Sequence, residues 1–261
     1  MLLAEYSLLG RTVLITGAGR GIGAGIAEVL AEAGATLAIN ALTDIYLTRL
    51  AASLSRPGSQ RIVPIAGDVS TSQGADSVVS QARSALGHID IMINNLGDAL
   101  ERDLVPLSEA PVLSTDDEAR RMIGLNLMSA IYCSRAVGRE MIGRRSGKVL
   151  NIASFAALRG AAHMSLYAAA KSALMGLTRS LAVEWAPYGI NVNAIAPGVI
   201  PDRVTFAGER YSAIERHYKA LIPLGRLGSI REVGLLALYL VSDASSYMTG
   251  QIVALDGGLS A

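Results

Sequence analysis

Short apolar runs alternate with longer amphipathic stretches along this chain. Each run is rich in Val, Ile and Leu and is bounded by Gly, Pro, Asn or Asp, a pattern that predicts the buried strands of a parallel sheet. Seven strands are predicted in this way, at residues 12–16, 36–40, 62–66, 89–94, 148–153, 191–196 and 252–255.

The stretches between these runs repeat apolar positions at helical spacing. They predict helices at residues 22–33, 44–54, 73–86, 117–144, 166–185 and 230–242, and Gly34, Gly87, Gly147 and Gly189 stand where helix-ending residues are expected. No linker or internal repeat interrupts this alternation. We therefore expect a single domain over residues 1–261, an α/β fold of Rossmann type whose doubly wound sheet has seven mainly parallel strands flanked by helices.

Two segments depart from the alternation. Residues 201–223 follow a predicted strand with a polar helical stretch, and we interpret them as a flap over the substrate. Residues 97–115 form a connection longer than is usual in compact domains. Both follow the carboxyl ends of strands, where open α/β sheets bind ligands.

Composition excludes several classes of protein. With 51% apolar and 17% charged residues the chain can bury a core, and a net charge of +1 disfavours nucleic-acid binding. One cysteine and three histidines give no disulfide and no zinc-type spacing, so no metal is expected. The longest charge-free run, residues 185–201, contains Pro, Gly and Asn and predicts no membrane span, and the N-terminus lacks the pattern of a signal peptide. We expect a cytoplasmic protein without nucleic-acid or membrane partners.

The first predicted strand runs into a glycine-rich turn that contains Gly17, Arg20, Gly21, Ile22 and Gly23 and leads into a helix. Glycines in such a turn let the backbone approach a pyrophosphate at the helix N-terminus. The spacing alone is weak, and a simple tight turn is the alternative. Its position between the first strand and the first helix favours dinucleotide binding.

Tyr167 and Lys171 are four residues apart and therefore share a helix face. A phenol is a poor acid or base near neutral pH, and a neighbouring cation lowers its pKa towards the working range. Ser154, just past a predicted strand, could hold a substrate oxygen beside that phenol. Taken separately, these residues are equally compatible with a core tyrosine, a solvated lysine and a turn serine.

In combination and in this order, these motifs resemble the short-chain dehydrogenases and reductases of single-domain type. The resemblance covers essentially the whole chain. It includes further blocks at Asp68-Val69, Asn94-Asn95-Leu96-Gly97, Asn126, Asn193-Ala194-Ile195-Ala196-Pro197-Gly198, Pro223-Leu224-Gly225-Arg226, Thr249-Gly250-Gln251 and Asp256-Gly257-Gly258.

The resemblance implies roles for individual residues. Tyr167 would be the acid/base, Lys171 would bind the nicotinamide ribose and lower the pKa of the phenol, Ser154 would hold the substrate oxygen, and Asn126 would anchor a relay water. The implied cofactor-binding residues are Gly17, Arg20, Gly21, Ile22, Gly23, Ala41, Asp68, Val69, Asn95, Gly97, Tyr167, Lys171, Pro197, Gly198 and Val199, with Asn94 in support. Asp68, Asn94 and Asn126 have structural alternatives, as turn or helix-backbone partners.

Three positions differ from the family pattern. Leu96 replaces a commoner small residue, and Asp202 stands where a threonine often contacts the cofactor carboxamide. Ala41 occupies the place of the acid that usually binds the ribose hydroxyls of NAD, while Arg20 could pair with a 2′-phosphate. This favours NADP(H) over NAD(H), although Asp44 lies close enough to serve NAD(H).

The expected activity is hydride transfer between NAD(P)(H) and a carbonyl compound or secondary alcohol, as in a short-chain alcohol dehydrogenase or carbonyl reductase. Two alternatives remain: a catalytically silent nucleotide-sensing or scaffold protein, and a cofactor-assisted epimerase or dehydratase. The candidate substrate residues are Leu96, Ala156, His163 and Met164, a largely apolar set that suggests a cyclic, aromatic or acyl carbonyl compound. For His163 a half-exposed structural role is the commoner outcome. The family resemblance also implies a homotetramer.

Overall fold

A seven-stranded parallel sheet forms the centre of the computed structural model, which describes residues 3–55, 60–105, 113–202 and 205–261. The strands are β1 (Thr12–Ile15), β2 (Thr36–Ala41), β3 (Ile62–Ala66), β4 (Ile91–Asn94), β5 (Gly147–Ile152), β6 (Ile190–Pro197) and β7 (Ile252–Leu255). Their order is β3-β2-β1-β4-β5-β6-β7, and each neighbouring pair is parallel. The predicted doubly wound sheet is confirmed.

Helices cover both faces of this sheet. They are α1 (Gly21–Glu32), α2 (Leu47–Leu54), α3 (Ser72–Leu86), α4 (Asp116–Ile123), α5 (Ser129–Arg144), α6 (Ala156–Arg159), α7 (Ser165–Trp185), α8 (Glu209–Lys219) and α9 (Ile230–Val241). Side chains of α1, α2 and α9 bury one face of the sheet, and those of α3, α5 and α7 bury the other. The strand order reverses between β1 and β4, which opens a crevice at the carboxyl ends of the strands.

The long helix predicted at residues 117–144 is interrupted. A π-helical turn, Gly124–Met128, separates α4 from α5 and contains Asn126, which is buried. The Asn126 side chain bonds to the backbone of Asp98 on the loop after β4, and this tertiary contact accompanies the local change of helical register. Such single-turn insertions occur frequently at functional sites.

The prediction of a helix-ending glycine is correct at three of the four positions. Gly34, Gly87 and Gly189 have positive φ angles. Gly147 instead begins β5, and Arg145 takes the left-handed conformation that ends α5. Gly147 is required for a different reason, because a Cβ atom there would lie 2.6 Å from the sulfur of Met141.

The two irregular segments begin at the carboxyl ends of β4 and β6, as expected. The predicted flap at residues 201–223 contains α8, which buries none of its side chains, while residues 203 and 204 lie outside the described residues. In the connection at residues 97–115, positions 106–112 also lie outside them. A substrate-covering role for the flap stays a prediction.

Candidate active site

The glycine turn after β1 has a backbone that only glycine adopts easily. Gly17 and Gly21 have φ angles of +62° and +58°. A Cβ atom on Gly23 would lie 2.4 Å from the side-chain nitrogen of Asn95. That Asn95 nitrogen donates hydrogen bonds of 2.9 Å to the carbonyl oxygens of Thr16 and Gly17. The turn is therefore braced from β4 and leaves no room for side chains on its inner side.

The start of α1 suits a phosphate group. The residue preceding the helix, Arg20, makes no side-chain capping bond and is exposed, while Ile22 in the first turn is half-buried. Backbone N–H groups at such a terminus attract anions, and Gly17 and Gly21 have no side chain that would block their approach. The residues present therefore fit the pyrophosphate of a dinucleotide.

The strands β2 and β3 follow β1 in the sheet, on the side where the adenosine of the cofactor is expected. Ala41 ends β2 half-buried, and a Cβ atom on Gly19 would lie 3.4 Å from the Ala41 Cβ and 3.2 Å from that of Tyr46. Val69 is buried, whereas one carboxylate oxygen of Asp68 accepts hydrogen bonds from the backbone and hydroxyl of Ser70. The turn-capping alternative for Asp68 is thus observed for that oxygen.

Asn40 is a residue of this region that the sequence analysis did not single out. Its side-chain nitrogen donates to the carbonyl oxygens of Ile65, at 3.0 Å, and Gly67, at 3.1 Å, which holds the ends of β2 and β3 together. A polar residue at the end of an otherwise apolar strand was the available signal.

Tyr167, Lys171 and Ser154 are brought together at the mouth of the crevice. Tyr167 and Lys171 lie one turn apart on α7, and the Ser154 hydroxyl is close enough to the Tyr167 phenol to lower its pKa. The Ser154 hydroxyl also accepts from the backbone of Ala156 at 3.2 Å. Lys171 is buried, with its ammonium nitrogen 5.9 Å from the Tyr167 ring centroid. The predicted serine, phenol and ammonium thus share one site.

Burial dominates the proton affinities of this group. It raises the pKa of Tyr167 above its ordinary value, an effect opposed by the nearby Ser154 hydroxyl and reinforced by the charge of Asp98. Burial also lowers the pKa of Lys171 to about 8. The sequence analysis expected Lys171 to lower the pKa of the phenol. In the cofactor-free chain the direction is the opposite, because desolvation disfavours both charged forms.

Gly97 packs against Asn126 and against the ammonium of Lys171. A Cβ atom on Gly97 would lie 2.6 Å from the side-chain oxygen of Asn126 and 2.9 Å from the Lys171 ammonium nitrogen, so a glycine is needed for this close approach. The Asn126 nitrogen donates to the carbonyl oxygens of Asp98, at 2.9 Å, and Met122, at 3.1 Å. Its amide therefore holds the loop after β4, and its role as a water anchor stays a prediction.

The chain after β6 contains the residues that are expected to lie against the nicotinamide. Pro197 ends β6, Gly198 donates from its backbone to Leu255 at 2.9 Å, and Val199 is half-buried. The buried carboxylate of Asp202 accepts from the Thr205 hydroxyl at 2.8 Å. A Cβ atom built on Gly21 would lie 4.0 Å from this carboxylate, which brings Asp202 to the glycine turn.

The candidate substrate residues have different environments. Leu96 packs into the apolar layer of α3 and α5, and Ala156 is buried in α6. His163 has a left-handed backbone, with φ of +61°, and its ring lies 2.5 Å from the Asp103 carboxylate. This pairing favours a structural role for His163. Met164 is the residue preceding α7 and is half-buried.

Comparison with known proteins agrees with this geometry. The family model described as Enoyl-(Acyl carrier protein) reductase matches residues 17–260. A 2-dehydro-3-deoxy-D-gluconate 5-dehydrogenase of Dickeya dadantii is 35% identical over 99% of this chain and 98% of its own length. A 3-oxoacyl-[acyl-carrier-protein] reductase of Chlamydia pneumoniae is 37% identical over 98% of this chain and 99% of its own.

A solved structure from Beutenbergia cavernae, assigned as an NAD(P)-dependent gluconate 5-dehydrogenase with NADP at low occupancy, superposes with a TM-score of 0.85. It is 34% identical and covers 98% of this chain and 99% of that one. The chain belongs to the short-chain dehydrogenase/reductase family. It is therefore an NAD(P)-dependent oxidoreductase that interconverts alcohol and carbonyl groups.

A series of hydrogen bonds between buried polar side chains lies behind the site of this short-chain dehydrogenase. The side-chain nitrogen of Asn94 donates to Ser134, at 3.0 Å, and to Asn151, at 2.8 Å, and the nitrogen of Asn151 donates to Thr178 at 2.9 Å. These bonds connect β4 and β5 to α5 and α7. Asn94 could be singled out from the sequence, but its hydrogen-bond partners could not, because they are far from it in the chain and meet it only in the folded structure.

Within the described ranges, no helix is long and apolar enough to cross a membrane, and no group of three His, Cys, Asp or Glu side chains is placed to hold a metal ion.

Proposed function

We propose that this short-chain dehydrogenase is an NADP(H)-preferring carbonyl reductase, or secondary-alcohol dehydrogenase in reverse, with Tyr167 as its acid/base. The observation that carries the proposal is that the fold brings the Ser154 hydroxyl, the Tyr167 phenol and the buried ammonium of Lys171 together, with the ammonium nitrogen 5.9 Å from the Tyr167 ring centroid. The bound cofactor supplies the hydride.

Each side chain then has a defined task. The Ser154 hydroxyl donates a hydrogen bond to the substrate oxygen, and the Tyr167 hydroxyl transfers its proton to that same oxygen. The raised pKa of Tyr167 keeps the phenol protonated near neutral pH, as reduction requires. Lys171 places a positive charge beside the phenolate that forms, and the pKa of about 8 keeps this ammonium mostly charged at pH 7.

The cofactor preference rests on Arg20 and Ala41. The exposed guanidinium of Arg20 precedes α1 beside the adenosine side of the crevice, where it can form charge-assisted bonds to a 2′-phosphate. Ala41 presents no acceptor for the ribose hydroxyls. NADP bound to the B. cavernae relative supports this preference, whereas Asp44 is the alternative contact that would favour NAD(H).

The substrate we propose is a cyclic, aromatic or acyl carbonyl compound. The apolar side chains of Leu96, Ala156 and Met164 support this class. The named relatives act on a sugar acid and on an acyl carrier substrate, so both chemistries belong in any test. We further propose a cytoplasmic homotetramer, as the family resemblance implies.

A spectrophotometric screen tests the proposal. Purified protein is mixed with NADPH or NADH and with cyclic, aromatic, 3-oxoacyl and sugar-acid ketones, and the reverse reaction is run with the matching alcohols. We expect net cofactor oxidation with apolar ketones, faster with NADPH. Product formation without net cofactor turnover would instead indicate the epimerase or dehydratase alternative, and cofactor binding without any turnover would indicate the silent sensor.

A further inference from the structure

Three large apolar side chains are exposed close together in the loop between β2 and α2. Leu42, Ile45 and Tyr46 expose 69%, 68% and 40% of their surface. The next residue, Leu47, is fully buried and begins α2, so it fixes this end of the loop against the core. Single exposed apolar side chains need no explanation, whereas a cluster of them marks a candidate binding surface.

Tyr46 is the member of this cluster that contacts the glycine turn. A Cβ atom built on Gly19 would lie 3.2 Å from the Tyr46 Cβ and 3.4 Å from the Ala41 Cβ. The carbonyl oxygen of Tyr46 accepts from the backbone of Leu50 at 3.0 Å, which holds this residue in the first turn of α2. Tyr46 is therefore fixed beside the glycine that precedes Arg20, on the β2 side of the turn.

The cofactor of this family has to pass the same place. Its pyrophosphate fits the start of α1 at Gly21, and the residue that commonly binds the adenosine ribose stands at the end of the second strand in such folds. The adenosine half therefore extends from Gly21 towards β2 and β3. Asn40 holds the ends of these two strands together through its bonds to the carbonyl oxygens of Ile65 and Gly67. Adenosine thus lies against fixed strand ends, with Tyr46 at the side of its path.

The residue at the end of β2 makes an aromatic contact important in this chain. Ala41 has no polar group for the ribose hydroxyls, so the adenosine half must be held by other contacts. An aromatic ring provides such a contact, because it stacks on the π-face of a base whatever the ribose carries.

The packing of Tyr46 also favours a ligand over a structural role. Leu47 and Leu50 bury the inner face of α2, and Tyr46 is not among the side chains packed against the core in the described part of the chain. Tyr6 and Tyr239, by contrast, both pack against that core, with their ring centroids 6.2 Å apart. Tyr46 therefore keeps an aromatic face that the fold itself does not use.

We propose that Tyr46 is a further cofactor-binding residue, whose ring stacks on the adenine of NAD(P)(H). Leu42 and Ile45 add apolar surface beside it. The inference rests on the use of NAD(P)(H) by this family. It does not depend on the proposed preference for NADP(H) or on the proposed substrate, since both cofactors carry the same adenine.

The test compares binding of three fluorescent ligands: NADPH, NADH and reduced nicotinamide mononucleotide, which lacks adenine. The variants are Tyr46→Ala, which removes the ring, and Tyr46→Phe, which keeps it. Tyr188→Ala is the matched control, because Tyr188 has a similar exposure of 37% and lies beside Arg145, away from the glycine turn.

We expect Tyr46→Ala to lose about tenfold in affinity for NADPH and for NADH alike, the order expected for the loss of one stacked base. Tyr46→Phe and Tyr188→Ala should bind both cofactors as wild type does, and the affinity for the mononucleotide should be the same in all four proteins. Unchanged cofactor affinity in Tyr46→Ala would overturn the proposal. An equal loss with the mononucleotide, or in Tyr188→Ala, would also overturn it, because the effect would then not come from adenine.

A second measurement needs no alanine variant. In protein with ¹³C-labelled tyrosine, the Tyr46 ring signal is the one missing from Tyr46→Phe. Stacking on adenine should move this signal upfield as ADP-ribose is added, until the site is saturated, while the Tyr188 signal stays in place. A Tyr46 signal that does not move at saturating ADP-ribose contradicts the stacking.

Assays of cofactor preference and turnover separate this inference from the proposed function. A wild type that prefers NADH contradicts the proposed preference for NADP(H), whereas an equal loss of both cofactors in Tyr46→Ala still supports the role of Tyr46. An active wild type whose cofactor affinity is unchanged in Tyr46→Ala contradicts the role of Tyr46 alone.

Discussion

The ammonium nitrogen of Lys171 lies 2.7 Å from the carbonyl oxygen of Ile152, the last residue of β5. This bond connects the face of α7 that carries Tyr167 and Lys171 to the strand that leads into Ser154. It also explains how the lysine is buried with no carboxylate partner among the described residues, since a strand-end carbonyl can accept from an ammonium. The distance between phenol and ammonium is therefore set by the sheet.

Replacing Lys171 with methionine should reveal the cost of burying this charge. The pKa of Lys171 falls from 10.5 to about 8 on folding, so the unfolded chain binds the extra proton between those values. The cost is fully present below pH 8 and disappears as the pH rises to 10.5. We expect the free energy of unfolding of wild type, relative to Lys171→Met, to increase by about 3 kcal/mol over that interval.

Urea unfolding at several pH values measures this difference, in which the remaining titrating groups largely cancel. A difference that stays constant from pH 8 to 10.5 would show that burial does not lower the pKa of Lys171.

Gly97→Ala should damage the site although it leaves Ser154, Tyr167 and Lys171 themselves unchanged. The added methyl group would lie 2.6 Å from the Asn126 oxygen and 2.9 Å from the Lys171 nitrogen. We expect a loss of about 1–3 kcal/mol in stability, typical of overpacking, together with a large loss of turnover. Gly143→Ala in the last turn of α5 is the control, because nothing lies within 4 Å of the added atom. Equal behaviour of the two variants in thermal melts and assays would contradict this reading.

Ala41→Asp should move the cofactor preference from NADP(H) to NAD(H). A carboxylate at the end of β2 would repel a 2′-phosphate and accept from the ribose hydroxyls of NAD. The ratio of kcat/KM for NADPH and NADH, measured for both proteins, gives the answer. Asp44→Asn tests the alternative. If wild type already prefers NADH and Asp44→Asn loses that preference, Asp44 binds the ribose and our interpretation of Ala41 is wrong.

The sequence predicted the sheet to within two residues at each strand end. The five central strands are largely buried on both faces, which their apolar composition reflects, whereas the edge strands β3 and β7 are only partly buried. The glycine turn and the placement of Tyr167 and Lys171 on one helix face could also be predicted, because each depends on residues that are close in the chain.

What the sequence did not predict depends on tertiary partners. The π-helical turn at Asn126 accompanies hydrogen bonds to Asp98, 28 residues earlier in the chain. Asp98 and Asp103 are ordinary loop acids in the sequence, and their ion pairs with Arg121 and His163 form only in the folded structure. The direction of the pKa of Tyr167 was also missed, since pairing with a cation can be inferred from spacing whereas desolvation cannot.

The central claim is that Tyr167 carries the transferred proton. In Tyr167→Phe the ring is kept and the hydroxyl is lost, while Tyr188→Phe makes the same change at a partly exposed residue beside Arg145, away from the site. Turnover and cofactor affinity are measured for both variants with the best ketone, the latter by cofactor fluorescence. We predict that Tyr167→Phe loses at least about a hundredfold in turnover and keeps its cofactor affinity, with Tyr188→Phe unchanged. Near-normal turnover in Tyr167→Phe would contradict the account.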